Sequence, residues 1–151
     1  MVQQTSDSVA SLYEADETAW LDSTSQLLRT GRWEEVDTDT LAEYLEDTAR
    51  RDRREVESRL AVLLTHILKW GHQPDQRSRS WKSSIVVQRQ ELISEAGTGV
   101  LRNHAESVLG DAYRKAVERA AVETGLSEES FPVDCRYSLD ELMAYDPNAS
   151  E

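Results

Sequence analysis

The stretch HILKWGHQPDQRSRSW, residues 66–81, concentrates side chains that could bind a metal ion, a phosphate or a protein partner. Its two histidines, His66 and His72, are six residues apart, which places them about 120° from each other around a helix. Helical metal sites place their ligands three or four residues apart. Neither that spacing nor a Glu-x-x-His pair occurs at any histidine of the chain. We therefore expect no metal site and no other cofactor.

Residues that could support catalysis are equally sparse. Cys135 is the only cysteine and has no histidine close to it in sequence. The segment GTGVLR, residues 97–102, resembles a phosphate-binding turn only loosely, since no strand precedes it and a third glycine is missing. It is better interpreted as one helix end followed by one helix start. Pairs of acidic residues occur throughout the chain, so they do not identify a particular catalytic acid or base. We expect no catalytic residue and no enzyme.

The net charge of −12 is unevenly distributed along the 151 residues. Residues 1–48 carry −10, residues 49–104 carry +5, and residues 105–151 carry −7. One interpretation is self-complementarity, in which the acidic ends pack beside the basic middle and neutralise it. The other is an exposed basic patch that attracts an acidic partner.

An exposed basic patch would make nucleic-acid binding an alternative function. Arg77, Arg79, Lys82 and Arg89 would line one predicted helix, and the arginines of 50–54 would lie on the helix before it. Phosphate contacts need such clusters. However, a pI near 4.7 is far from the basic character expected of a nucleic-acid domain. The alternative is therefore a weak binder that uses the basic face of helices 2 and 3.

Helical periodicity dominates the chain, and no stretch alternates as a strand would. Helix 1 is predicted from about Ser11 to Thr30, with Ser11 and Glu14 at capping-box spacing. Helix 2 is predicted from the caps of VDTDT to Trp70, with Gly71 ending it. It has no apolar residue over 50–55, so it either continues or bends near Arg50–Arg54; we favour a continuous helix.

Three further helices follow. Helix 3 is predicted to start at Ser78 or Ser80 and helix 4 to run from about Val100 to Thr124, while a short fifth helix follows Ser138. The predicted fold is all-α: an antiparallel bundle of four main helices, with one long helix 2 and a short C-terminal helix. We expect a single helical domain over 11–145, flanked by flexible tails at 1–10 and 146–151.

The bulk properties favour a cytoplasmic, bacterial protein. The longest aliphatic run, Ala61–Leu64, is far shorter than the roughly 18 residues of a membrane-spanning helix. The N-terminus lacks the basic start and apolar stretch of a signal peptide. One cysteine cannot form an intramolecular disulfide.

A family resemblance covers nearly the whole chain. Its central motif comprises His66, Leu68, Lys69, Trp70, Gln73, Pro74, Arg77, Ser78, Ser80, Trp81, Ile85, Gln88 and Arg89, with flanking motifs at 12–20, 27–33 and 123–142. These segments resemble the bacterial family called domain of unknown function 29, which is common in cyanobacteria and proteobacteria. The resemblance implies an all-helical fold and assigns no activity.

Two hypotheses address the stretch 66–81. The structural one places His66 on the inner side of helix 2 as a hydrogen-bonded residue, with Lys69, Arg77 and Arg79 pairing with acids of helix 1 or the tail. The functional one makes a partner-docking surface, because Trp and Arg are common interface anchors. The candidate partner-binding residues are Trp70, His72, Arg77, Arg79 and Trp81.

We accordingly expect a protein-interaction or regulatory module without catalytic activity. Its partner is an unidentified protein, and the acidic charge suggests a basic one. Apolar residues exposed on so long a helix 2 would also be compatible with a homodimer.

Overall fold

The computed structural model describes residues 12–150, and every regular element in that range is an α-helix or a 3-10 helix. The all-α prediction is thereby confirmed. The tail predicted at 1–10 lies outside the described residues. No helix in the described range combines the length and apolar character needed to cross a bilayer.

After a short helical segment at 12–15, five α-helices follow one another in the order predicted. They are α1 (Glu17–Arg29), α2 (Thr38–His72), α3 (Arg79–Ala96), α4 (Gly99–Thr124) and α5 (Leu139–Met143). Short 3-10 helices occupy Trp33–Glu35, Pro74–Gln76, Glu128–Ser130 and Pro147–Ser150. Helix α2 is 35 residues long and continues through Arg50–Arg54, as favoured from the sequence.

The chain divides into two compact units, with the boundary after Arg50. In the N-terminal unit, Asp16 caps α1 by accepting a hydrogen bond from the Ala19 amide at 3.1 Å. Helix 1 therefore does not run unbroken from Ser11, because the Asp16 side chain starts a new helix at Glu17. Trp20 is fully buried, and its ring lies 4.9 Å from Tyr13.

A polar side chain marks the start of helix α2, and a proline follows its end. The Asp37 carboxylate accepts hydrogen bonds from the Thr40 amide at 3.2 Å and from the Thr40 hydroxyl at 2.6 Å. The predicted stop at Gly71 is wrong, because the helix includes Gly71 and ends at His72. Gln73 stands before Pro74, and proline disfavours the helical conformation in the residue that precedes it.

Side-chain pairs give the helix directions in the C-terminal unit. Arg59 of α2 pairs with Glu95 near the end of α3, while Lys69 lies over Trp81 near the start of α3. Helices α2 and α3 are therefore antiparallel. Lys69 pairs also with Glu123 at the end of α4, so α4 runs in the same direction as α2. The three helices form an up-down-up bundle.

The core of this unit combines large aliphatic residues from α2 with small residues from α4. Leu60, Leu63 and Leu64 are buried on α2, next to Ile85 and Leu92 of α3. On α4 the buried positions are mostly alanine, at residues 105, 112, 116 and 120. Small side chains at these spacings allow neighbouring helices to approach closely.

The segment after α4 is attached to the same core. Phe131, Leu139 and Leu142 are buried. The Ser138 hydroxyl caps α5 by accepting from the Glu141 amide at 3.2 Å. The predicted tail 146–151 contains the 3-10 helix Pro147–Ser150, and Pro147 is buried.

Candidate functional site

The stretch 66–81 forms the corner between α2 and α3. A 3-10 turn at Pro74–Gln76 reverses the chain, and the Ser78 hydroxyl accepts the Trp81 amide at 3.2 Å to start α3. The Gln73 side-chain amide donates to the Thr124 carbonyl oxygen at 3.3 Å. The corner is thus fastened to the C-terminal end of α4.

Lys69 is the most deeply buried cation of the corner. Its Nζ donates to Oε2 of Glu123 at 2.9 Å and lies 4.5 Å from the centre of the Trp81 ring. Both contacts stabilise a buried ammonium group, one by charge pairing and one by a cation–π interaction. The predicted pairing of Lys69 with helix 1 or the tail is therefore wrong, since its acid is on α4.

Trp70 and Arg77 form a stacked pair. The Arg77 Nε donates to the Trp70 carbonyl oxygen at 2.9 Å, and the guanidinium carbon lies 4.7 Å from the Trp70 ring centre. Trp70 is only 3% exposed. Its indole nitrogen has no acceptor among the described residues. Trp70 therefore packs into the core and supports Arg77 at the surface.

Both histidines of the corner are held by backbone carbonyls. Nδ1 of His66 lies 2.9 Å from the Val62 oxygen, and Nδ1 of His72 lies 2.9 Å from the Leu68 oxygen. A carbonyl oxygen only accepts, so each Nδ1 must carry the proton and donate. The hydrogen bond predicted for His66 is confirmed, although the residue is half-buried.

The five candidate partner-binding residues thus have different surroundings. His72 is exposed, and its ring lies 4.7 Å from that of Phe131. Arg79 is exposed without an ion pair or hydrogen bond in the described range. Trp81 is half-buried beneath Lys69. All five residues lie at the corner between α2 and α3, and their role as a docking surface stays a prediction.

Cations of the basic middle segment mostly have partners within the chain. Arg59 binds carboxylates on both α2 and α3. Arg102 pairs with Asp140, and the hydrogen bond between them raises the pKa of the Arg102 guanidinium. The residues of 49–104 with such contacts are Arg50, Arg53, Arg59, Lys69, Arg77, Arg89 and Arg102. Of these cations, Lys69 and Arg102 pair with acids of 105–151, which favours the self-complementary interpretation for that end of the chain.

Cys135 is poorly suited to nucleophilic chemistry. Burial raises the pKa of its thiol, and Sγ donates to the Tyr137 carbonyl oxygen at 3.4 Å. The thiolate is the nucleophilic form, so a raised pKa lowers its population near neutral pH. Among the described residues, no group of three or more His, Cys, Asp or Glu side chains could hold a metal ion.

Sequence reasoning missed a surface in the N-terminal unit. Trp33 is 68% exposed, Leu45 is 58% exposed, and Leu28 is 42% exposed. A groove of about 360 Å³ runs between α1 and the start of α2, lined by Trp20, Leu21, Thr24, Ser25, Leu28, Arg29 and Leu41. We call these groove residues, together with Trp33 and Leu45, the N-terminal apolar surface. The helical stripe of Leu21 and Leu28 was visible in the sequence, but periodicity cannot tell an inner face from an uncovered one.

The turn that presents Trp33 is held by local contacts. Arg32 donates two hydrogen bonds to the Glu35 carboxylate, and these lower the pKa of Glu35. Gly31 has φ of +74°, a conformation that side-chain-bearing residues rarely adopt. A Cβ at Gly31 would also lie 3.2 Å from the Trp33 indole nitrogen. The turn therefore fixes the exposed tryptophan close to the end of α1.

Comparison with known families gives a match over most of the chain. The model described as domain of unknown function DUF29 matches residues 12–146. This chain belongs to the DUF29 family. The match spans α1 to α5 of the DUF29 chain, including the corner and the N-terminal apolar surface. No curated protein and no solved structure matches it.

Proposed function

We propose that this DUF29 protein is an interaction module that acts by binding, without catalysis, and that its N-terminal unit receives a basic amphipathic helix of a partner protein. The observation that carries the proposal is an open, mainly apolar groove of about 360 Å³ in the N-terminal unit, a unit that also carries Trp33, a tryptophan 68% exposed. Tryptophan is strongly enriched among the residues that dominate binding energy at protein interfaces.

The apolar part of the surface has a residue pattern that suits a bound helix. On α1, Leu21, Ser25 and Leu28 follow helical spacing along one side of the groove, and Leu41 of α2 lies on the other side. Leu45 extends this side by one helical turn. Residues 12–150 contain no sheet edge to which a partner strand could be added, so a helix is the better-matched occupant.

The charge of the N-terminal unit indicates which residues the polar face of the partner helix should carry. Residues 1–48 carry 12 acidic and 2 basic side chains. Complementary charge accelerates encounter and disfavours acidic competitors. The matching ligand therefore has leucine-like residues on one helical face and lysine or arginine on the other.

A designed peptide tests this proposal directly. The probe is an 18-residue amphipathic helix with leucines at i, i+3, i+4 and i+7 and lysines on the opposite face, titrated into the full chain by calorimetry. We expect binding with micromolar affinity. Trp33→Ala should weaken it at least about tenfold, and Leu28→Ser should weaken it similarly, because both remove apolar contacts of the bound helix.

Matched controls separate this surface from general stickiness. Val122→Ser changes an exposed apolar residue of the C-terminal unit and should leave affinity unchanged. Arg79→Ala tests the corner in the same assay and should also have no effect. Equal binding of a scrambled peptide with the same composition, or retention of full affinity by Trp33→Ala, would refute the proposal.

Nucleic-acid binding is less well supported by the same charges. Only Arg51, Arg54, Arg79 and Lys82 of the middle segment lack an ion pair or hydrogen bond within the described range. Phosphate binding depends on several free cations acting together. A gel-shift assay at low salt with micromolar protein should therefore show no complex.

A further inference from the structure

We infer that a groove in the C-terminal unit binds the arginine side chains of a short, extended segment of a partner protein. The groove lies between α4 and residues 128–133, and its volume is about 520 Å³. Pockets that bind small ligands commonly measure about 300–1,000 Å³. We call it the C-terminal groove. Its lining residues all belong to the unit that begins at Arg51, and the inference does not depend on the proposed helix-binding site.

Aromatic and aliphatic side chains form the floor of the C-terminal groove. Tyr113 and Phe131 line it and are buried, while Val117 is half-buried. The Tyr113 hydroxyl donates to the Pro132 carbonyl oxygen at 2.5 Å, which fastens residues 128–133 to α4. Both walls of the groove are therefore held in place without a partner.

Three carboxylates stand at the rim of the groove. Glu118, Glu128 and Glu129 are exposed, and their side chains make no ion pair or hydrogen bond with any residue that the structure describes. Arg114 also lines the groove, but its guanidinium pairs with Asp111. The groove therefore presents negative charge that the chain itself does not neutralise, above an apolar floor.

An arginine side chain matches both parts of the groove. Its planar guanidinium stacks on aromatic rings and binds carboxylates through two parallel hydrogen bonds. Its methylene stem can cover apolar surface while the charged head stays near water. Tyr113 and Phe131 supply the rings, and the three glutamates supply the carboxylates. Lysine lacks the planar pair of donors, so the groove should prefer arginine.

The length of the groove favours an extended segment over a helix. Along α4 the lining residues run from Tyr113 to Glu118, a rise of about 7.5 Å at 1.5 Å per residue. This is less than one and a half helical turns, which is too short to hold the face of a bound helix. In an extended chain, residues i and i+2 point to the same side about 6.6 Å apart. Two arginines at that spacing therefore fit the groove together.

The charge and exposure of the surrounding residues agree with a cationic partner. Residues 105–151 carry 11 acidic and 4 basic side chains. This excess of negative charge attracts a positively charged segment and disfavours an acidic one. Val133 lines the groove and is 91% exposed. A bound segment would cover this apolar side chain.

A peptide that cannot form a helix tests the inference by NMR titration of the full chain. The probe is Pro-Arg-Val-Arg-Pro with both ends blocked, since its prolines exclude the helix that the N-terminal apolar surface would bind. We expect backbone amide shifts within 113–118 and 128–133 and a dissociation constant below about 1 mM. The same peptide with citrulline, an uncharged isostere, in place of each arginine should bind at least about tenfold more weakly.

Two double variants separate the rim carboxylates from the overall charge. Glu128→Gln/Glu129→Gln removes two charges at the groove and should weaken binding at least about tenfold. Asp52→Asn/Asp75→Asn removes two exposed charges elsewhere in the same unit. It should change the affinity by less than about twofold in about 0.15 M salt, as should Trp33→Ala. Circular dichroism checks that each variant keeps its helix content.

Several outcomes would overturn the inference. These are an absence of shifts at about 1 mM peptide, equal affinity for the citrulline peptide, and full affinity in Glu128→Gln/Glu129→Gln. Loss of binding in Trp33→Ala would place the peptide on the N-terminal apolar surface instead. Shifts within 128–133 that depend on protein concentration without peptide would identify a second copy of the chain as the occupant, and this result would also contradict the inference.

Discussion

Lys69 is a buried cation stabilised by contacts with two elements distant in sequence. It joins α2 to Glu123 on α4 and to the Trp81 ring on α3. An ammonium group moved out of water needs such partners, since an isolated buried charge is strongly unfavourable. The side chain therefore contributes to the position of α4 and α3 around α2.

We expect Lys69→Ala to lower the free energy of unfolding by about 1–2 kcal/mol, because it removes a charged hydrogen bond and a cation–π contact. Urea denaturation measures the loss. The exposed Arg79→Ala serves as the control and should change stability by less than about 0.5 kcal/mol. A double-mutant cycle with Glu123→Ala should show coupling; strict additivity would contradict the pairing.

At the scale of elements, helix ends are set by local side chains. In four helices, a backbone amide of the first turn donates a hydrogen bond to the side chain just before the helix. These side chains are Asp16, Asp37, Ser78 and Ser138. Gly125 ends α4 with φ of +75°, the left-handed conformation that glycine adopts without strain. The lengths of the helices therefore follow from a few individual residues.

Gly110, inside α4, and Gly125, at the C-terminal cap of α4, make a matched pair. Gly125→Ala should destabilise the protein by about 1 kcal/mol, because its φ is positive. Gly110→Ala should stabilise it by about 0.5–1 kcal/mol, since Gly110 lies inside α4 with nothing within 4 Å of an added Cβ. Urea unfolding of both variants gives the comparison. Shifts of the same sign would show that backbone conformation does not decide these effects.

These local signals explain why the helices could be predicted and several contacts could not. Ser78 and Gly125 mark helix ends through their own chemistry, so sequence spacing locates them. Gly71 misled the prediction because a glycine can also occupy a helical conformation, and Pro74 sets the end instead. The Lys69–Glu123 pair spans 54 positions, and no periodicity reveals such a partner.

At the scale of the molecule, the two compact units differ in how much they bury. The C-terminal unit contains a cluster of nineteen buried residues drawn from α2, α3, α4, α5 and Phe131. In the described part of the N-terminal unit, the buried apolar residues are Trp20, Leu27 and Val36. Burial of apolar surface is the dominant stabilising term, so the units should differ in local stability.

Hydrogen exchange should detect this difference. Amides of 60–68 in α2 are expected to exchange only through global unfolding, while amides of 20–27 in α1 exchange through smaller openings and hence faster. Mass spectrometry of the native protein in deuterated buffer measures both segments. Equal protection of the two segments would show that the N-terminal unit is as stable as the larger core.

The four tryptophans differ sharply in exposure, and this makes the protein its own optical reporter. Trp20 and Trp70 are buried and Trp81 is covered by Lys69, which leaves Trp33 as the indole most open to solvent. The long-wavelength edge of the intrinsic fluorescence, and its quenching by iodide, therefore originate chiefly from one side chain. Occupancy of the surface around that side chain can be followed without attaching a dye.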